Sequence, residues 1–209
     1  MEALVDNDII VKVARYSLTS EFDRILRGKG LPPPRRCLPT ATAALHVNGP
    51  VPSIRFPTEQ SRKDARAFIN ACNPLANIPC NAERAALLLT VSKIDPGEAL
   101  LIDYACENLE SMILTGDKRC ILALAAEPAC AEIVALLKGR FWHFDCILEH
   151  LAVNFGWGNI RGRVCDDAAA DSGLAAALEL AHHETTAKAN LSARIQSLIG
   201  DTAGLLFLP

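Results

Sequence analysis

The feature that most constrains the fold is a repeated unit: a short apolar run, then an acidic residue, then a helix. Residues 3–6 form a short strand candidate that ends at Asp6, and residues 9–18 carry apolar side chains at helical spacing. Residues 111–126 repeat this order, and residues 139–155 are a third apolar stretch of strand and helix length. Strands that alternate with helices predict an α/β fold, with a parallel sheet and helices on both faces.

The length and charge of the chain limit the other choices. A chain of 209 residues is long enough for one α/β domain with a full core, and too short for two comfortable ones. Half of the residues are apolar and 22% are charged, which is typical of a globular protein. The net charge of -3 argues against a broad basic face, so any contact with nucleic acid must be local.

Two segments interrupt the α/β pattern. The stretch from about 28 to 58 is rich in proline and predicts an irregular connection, or a hinge to a small helical insert. Residues 58–73 and 81–93 beyond it have helical patterns. The tail is Ala-rich and helical, so we predict a main domain at 1–165 and a helical C-terminal extension at 166–209.

The cysteines and the apolar runs bear on the compartment. The eight cysteines are scattered and form no C-x-x-C pair, which disfavours both a zinc ribbon and a secreted disulfide framework. The N-terminal residues include acids and lack the pattern of a signal peptide. No apolar run approaches the roughly 20 residues that span a bilayer. We therefore expect a reduced, cytoplasmic protein without membrane insertion.

Three carboxylates are candidates for a shared site. Asp6 and Asp117 each follow a strand candidate, and Glu98 lies in the first turn of the helix that leads to the second of these strands. If the two strands are neighbours, their terminal carboxylates converge at the edge where open parallel sheets bind ligands. Carboxylates gathered in this way repel one another unless a hard cation such as Mg²⁺ lies between them. Lys118 and Arg119 follow directly and are candidates for contact with a substrate backbone.

Each acid also has a local explanation that needs no ligand. Asp6 and its neighbours Asn7 and Asp8 are favoured helix caps, and each such cap stabilises a helix by about 1 kcal/mol. Glu98 completes a capping box that Asp95 begins, and Asp117 follows a Thr-Gly turn. Capping and a shared metal site therefore both remain open for these residues.

The blocks "LVDNDII", "DPGEALL" and "LTGDKR" resemble the spaced acidic motifs of PIN domains, a family of metal-dependent ribonucleases. The resemblance covers roughly residues 3–165. It implies a three-layer α/β/α sandwich with a parallel sheet of four or five strands. It also implies that Asp6, Glu98 and Asp117 hold Mg²⁺ or Mn²⁺, and that an activated water cleaves single-stranded RNA. Many members of the family have a further acid, for which the sequence offers four candidates: Glu59, Asp64, Glu83 and Asp145.

Two other classes of function compete with the nuclease. The segment "DND" fits the D-x-D opening of haloacid dehalogenase-like phosphatases, with Asp6 as nucleophile and Asp8 as acid-base partner. However, Ile10 stands where that family has threonine, and the "DPGEALL" block has no role there. A PIN-like fold that only binds a partner is the other alternative. The Ala-rich tail and its apolar end "LLFLP" suit a homo-oligomer or a protein partner that contacts the C-terminal helix.

Overall fold

The computed structural model describes residues 1–31, 35–37, 42–49, 53–76, 78–179 and 183–208. They form a mixed α/β fold that is mostly helical and is built around a parallel sheet, which confirms the predicted class. The strands are β1 (Glu2–Val5), β2 (Arg35–Cys37), β3 (Cys72–Pro74), β4 (Ser111–Thr115) and β5 (Phe141–His143). They run parallel in the order β3-β2-β1-β4-β5, and three of them are only three residues long.

Helices follow almost every strand. They are α1 (Asn7–Arg15), α2 (Thr19–Gly28), α3 (Thr42–Asn48), α4 (Glu59–Asn70), α5 (Ala82–Thr90), α6 (Pro96–Glu107), α7 (Lys118–Ala126), α8 (Ala131–Leu136), α9 (Phe144–Phe155), α10 (Trp157–Asp166), α11 (Ser172–Glu179) and α12 (Glu184–Asp201). A short 3₁₀ turn, Pro128–Cys130, precedes α8. None of the helices in the described part of the chain combines the length and the apolar character that crossing a membrane requires.

The strand register places the two acid-bearing strand ends side by side. Strands β1 and β4 are direct neighbours, and Val5 is paired with Leu114. The chain therefore leaves both strands at the same edge of the sheet, where the Asp6 backbone N–H still donates to Leu114 O at 3.0 Å. On the other side of β4, Thr115 is paired with His143 at the end of β5. Strands β1 and β4 are thus neighbours, as the convergence of Asp6 and Asp117 requires.

Alternate residues of the strands enter two different hydrophobic cores. Val5 and Leu114 belong to the first core, whereas Leu4 and Ile113 belong to the second. Because successive strand side chains point to opposite faces, the two cores lie on the two faces of the sheet. Each fully buried aliphatic or aromatic side chain contributes roughly 1.5–3 kcal/mol to folding, so both cores help to hold the strands in place.

Two strands were not predicted from the sequence. β2 lies in the Pro-rich stretch that we expected to be irregular, and β3 occupies the end of the helix predicted at 58–73. Helix α4 ends at Asn70, and Pro74 disfavours helical backbone at Asn73 and has no N–H to donate, so the predicted helix is not continued through this segment. At the edge of a sheet a proline is tolerated, since one side of that strand makes no ladder bonds.

The C-terminal segment packs on the same core as the main α/β unit. Helix α10 crosses residue 165, where we placed the domain boundary. Leu174, Leu191 and Ile195 belong to the first core together with Val5 of the first strand. Near the C-terminal end, the Phe207 N–H donates to Phe141 O at 2.7 Å. The extension therefore shares one packed interior with residues 1–165.

Candidate functional site

One cavity at the carboxyl edge of the sheet collects the predicted site residues. It has a volume of about 590 Å³, and Asp6, Glu98 and Asp117 all line it, as do Lys118 and Arg119. The remaining lining residues are Asn7, Asp8, Lys12, Arg55, Asp95, Gly116, His143, Asp171, Gly173 and Arg194. The structure thus brings together the five side chains that the sequence singled out.

Asp6 is both a helix cap and a buried member of this cavity. Its Oδ1 accepts the Asn7 backbone N–H at 2.6 Å, and its Oδ2 accepts the Thr115 hydroxyl at 3.0 Å. Burial raises the pKa of Asp6 well above its ordinary value, and the charges of Asp8 and Glu98 raise it further. Capping explains one oxygen, but it does not explain why three carboxylates are gathered at the same place.

Glu98 occupies the cavity from the start of α6. The predicted capping box is present: the Glu98 N–H donates to Asp95 Oδ1 at 2.8 Å, and the Asp95 N–H donates to Glu98 Oε2 at 2.8 Å. Burial, with the charges of Asp95 and Asp117 added, raises the pKa of Glu98 to about 7 despite the backbone hydrogen bond. A carboxyl group with this pKa exchanges its proton near neutral pH.

Asp117 is the most solvent-accessible of the three acids. It caps α7 by accepting the Arg119 N–H at 2.8 Å, and the Arg119 guanidinium donates to both of its oxygens at 3.0 and 2.6 Å. Burial favours a higher pKa, but the hydrogen bonds and charge of Arg119 outweigh it and lower the pKa of Asp117. Arg119 is therefore committed to Asp117 in this arrangement, whereas Lys118 is exposed.

In the turn that carries Asp117, both backbone polar groups of Gly116 contact side chains of other elements. The Gly116 N–H donates to Asp8 Oδ1 at 3.0 Å, and Gly116 O lies 3.2 Å from His143 Nε2. The second Asp8 oxygen lies 3.4 Å from Lys12 Nζ. Asp8 therefore ties α1 to the turn. Because both Asp8 oxygens have partners within the protein, these contacts give no support to Asp8 as the acid-base residue of a phosphatase.

The C-terminal segment completes the cavity, which the sequence did not predict. Asp171 Oδ2 lies 2.9 Å from Lys12 Nζ, and Arg194 Nε donates to Asp145 Oδ2 at 2.9 Å. These ion pairs join residues that are distant in sequence, and no local pattern marks Asp171 as a partner of α1 or Arg194 as a partner of α9. Only the packing of α11 and α12 on the core brings them here.

None of the four acids that were candidates for a further ligand lines this cavity. Asp145 lies in the first turn of α9, two residues after β5 ends, and is paired with Arg194. The other three, Glu59, Asp64 and Glu83, lie on α4 and α5 and are absent from the lining. Asp8, Asp95 and Asp171 are the additional acids that the fold supplies instead.

The donor atoms of the cavity suit a hard divalent cation. Carboxylate and carbonyl oxygens are the ligands that Mg²⁺ and Mn²⁺ prefer. In addition, Asn7 Oδ1 is buried and accepts no hydrogen bond within the described part of the chain. However, among the residues that the structure describes, no three His, Cys, Asp or Glu side chains are grouped closely enough to hold a metal ion. Three acids of the cavity instead accept hydrogen bonds within the protein: Asp6 from Thr115, Asp8 from Gly116 and Asp117 from Arg119.

Comparisons of the chain with models of protein families, with curated proteins and with solved structures found no match. The resemblance to PIN domains therefore rests on the three acidic blocks, and a function must be argued from the site itself.

The raised pKa of Glu98 predicts a pH-dependent stability in metal-free buffer. Its folded pKa of about 7 lies above the ordinary value of 4.5, so the folded protein binds this proton more tightly than the unfolded chain. The corresponding stabilisation is complete below pH 4.5 and is lost as the pH rises through 7. We expect urea unfolding of Glu98→Gln to show a smaller fall in stability between pH 5 and 8 than wild type. The exposed Glu132→Gln should behave as wild type, and an equal fall in all three proteins would contradict the assignment.

Proposed function

We propose that this protein is a PIN-type, metal-dependent endoribonuclease that hydrolyses the phosphodiester bonds of single-stranded RNA in the cytoplasm. The proposal includes the finer architecture of that family, a three-layer α/β/α sandwich on a parallel sheet of four or five strands. The observation that carries it is the meeting of Asp6, Glu98 and Asp117, from three separate elements, in one cavity at the carboxyl edge of neighbouring strands.

The three acids would hold Mg²⁺ or Mn²⁺. When bound, such a cation supplies the activation of a water nucleophile and the stabilisation of charge on a phosphodiester oxygen. The protein itself concentrates negative charge, since the carboxylates raise one another's pKa values in the absence of a counter-ion. Glu98 is fixed by its capping box with Asp95 and would hold the cation as a carboxylate, and Asp6 is fixed in place by Thr115.

The basic residues beside the acids fit contact with a phosphate backbone. Lys118, at the start of α7, is exposed and lines the cavity, so it is the first candidate for a contact with RNA. Arg119 becomes available only if it leaves Asp117. The apolar residues Leu191, Ile195 and Leu198 of α12 are buried within the chain, so an oligomer or protein partner would have to use another face of that helix.

Cleavage of a fluorescent single-stranded RNA pool in Mn²⁺, in Mg²⁺ and in EDTA tests this proposal. We expect cleavage with either cation, none with EDTA, and a loss of at least about tenfold in Asp117→Asn, since each 1.36 kcal/mol of transition-state stabilisation is tenfold in rate. The matched control is Asp64→Asn, an acid outside the cavity. Equal cleavage by both variants, or cleavage that persists in EDTA, would refute the assignment.

A second candidate, a binding module without catalytic activity, is favoured by one observation. The carboxylates of the cavity make hydrogen bonds within the protein, and the described residues present no ready cage for a metal. Such a module would bind a protein partner or a second copy of the chain through its C-terminal segment, and Mg²⁺ or Mn²⁺ would leave its melting temperature unchanged. A nuclease site should instead be stabilised by saturating cation, because the cation binds the folded state.

A further inference from the structure

The basic side chains that line the cavity differ in whether a carboxylate already neutralises them. Lys12 is paired with Asp8 and Asp171, Arg119 with Asp117, and Arg194 with Asp145. Two others, Arg55 and Lys118, make no ion pair with any acid in the described ranges. Lys118 is already a candidate for substrate contact, so Arg55 is the one without an assigned role.

A short anchored turn presents Arg55 to the cavity. At its two ends, the Ser53 N–H donates to Phe56 O at 3.3 Å, and the Phe56 N–H donates to Ser53 Oγ at 3.0 Å. The Phe56 side chain is completely buried in the first core. The backbone on either side of Arg55 is therefore held by hydrogen bonds and by packing.

Arg15 fixes the same turn from the side of α1. Its guanidinium donates to Ile54 O at 3.3 Å, and its Nε donates to Asp167 Oδ2 at 2.7 Å. Arg15 thus links the turn to the C-terminal segment. A side chain on a backbone fixed in this way loses less conformational freedom when it binds a ligand than one on a loose loop.

An arginine without an acidic partner, at a cavity rich in acids, is suited to an anion that the protein does not supply. If Arg55 served to neutralise the acids, it would be paired with one of them. The planar guanidinium matches the oxygens of a phosphate and can donate two parallel hydrogen bonds to it.

We propose that Arg55 binds a phosphate of the single-stranded RNA backbone next to the bond that is cleaved, and so anchors the strand across the cavity. This inference rests on the proposed nuclease function. Arg55 and Lys118 come from different elements, the Ser53–Phe56 turn and the start of α7, so each provides a separate contact to the strand. The contact is to the backbone, and Arg55 therefore contributes affinity without selecting a base sequence.

Binding of a labelled 20-nucleotide RNA, measured by fluorescence anisotropy at several salt concentrations, tests this role. Ca²⁺ replaces Mg²⁺, and a gel verifies that the RNA stays intact. We expect Arg55→Gln to weaken binding about tenfold and to reduce the slope of log affinity against log salt by about 0.7, the value for one phosphate contact on a single strand. Arg55→Lys should retain the slope at an intermediate affinity, because lysine keeps the charge without the paired geometry.

The control for charge is Arg27→Gln, an exposed arginine on α2 that lies outside the cavity. It should bind RNA as wild type does, and the melting temperatures of all variants should match. If Arg55→Gln keeps the affinity and salt slope of a wild-type protein that cleaves RNA, the role of Arg55 is refuted and the nuclease stands. If wild type neither binds nor cleaves RNA, both proposals fall.

Discussion

Asp6→Asn is expected to abolish RNA cleavage and, in metal-free buffer, to stabilise the protein. The cleavage rate should fall about 1,000-fold or more, because one ligand oxygen of the cation would be replaced by a neutral amide. The melting temperature should rise by about 3 °C at pH 8, which corresponds to roughly 1 kcal/mol for a chain of this size. The reason is that the buried charge of Asp6 is opposed by burial and by two neighbouring carboxylates. Cleavage assays and thermal unfolding at pH 5 and 8 measure both effects.

The pH dependence distinguishes this explanation from a general change in packing. Because the folded pKa of Asp6 is raised, the wild-type group is protonated at low pH and costs stability only as the pH rises through that pKa. The gain from Asp6→Asn should therefore shrink toward pH 5. Asp64→Asn, at a half-buried acid of α4 outside the cavity, should change neither quantity. A destabilised Asp6→Asn at pH 8 would show that the carboxylate is needed as a helix cap more than it is opposed by its neighbours.

Gly116→Ala is expected to destabilise the protein and to disturb the site at the same time. A Cβ at this position would clash with the Asp8 carboxylate and would lie 2.7 Å from Lys12 Nζ. Asp8 is held by the Gly116 N–H and by Lys12, and Lys12 is also held by Asp171, so either the turn must move or these contacts must break. We expect a loss of about 2 kcal/mol in urea unfolding, as is typical of overpacking at a filled site. Cleavage should fall about a hundredfold, because the displaced turn carries Asp117.

Gly162→Ala provides the matched control. Gly162 lies within α10, and a Cβ there would have no heavy atom within 4 Å. Alanine favours the helix over glycine by roughly 0.8–1 kcal/mol, so this variant should be more stable than wild type and fully active. If both substitutions had the same effect, the close approach of Asp8 and Lys12 to Gly116 could not be the cause.

Local patterns in the sequence predicted much of the site. Asp95, Pro96 and Glu98 predicted the start of α6 and its capping box, because capping depends on residues only three positions apart. The apolar run at 111–115 predicted β4, and the acid after each strand predicted which edge of the sheet would carry charge. These signals are short in range, because the interactions that produce them join residues only a few positions apart in the sequence.

The parts that were missed depend on contacts between distant segments. β2 and β3 have three residues each and are defined by pairing with neighbours, so neither has enough apolar alternation to be recognised alone. Asp171 and Arg194 reach the cavity only because α11 and α12 pack on the core. Arg119 was missed as an intramolecular partner for another reason: its pairing with Asp117 depends on rotamers that residue spacing does not specify.

The ion pairs that join α1 to the C-terminal segment also set when the cavity can form during synthesis. Arg15 is joined to a residue 152 positions later in the chain, and Lys12 is joined to Asp171. A nascent chain emerging from the ribosome carries the acids of the first strand long before these partners have been made. For most of its translation the polypeptide therefore lacks a finished cavity, and a site built in this way matures late relative to the message that encodes it.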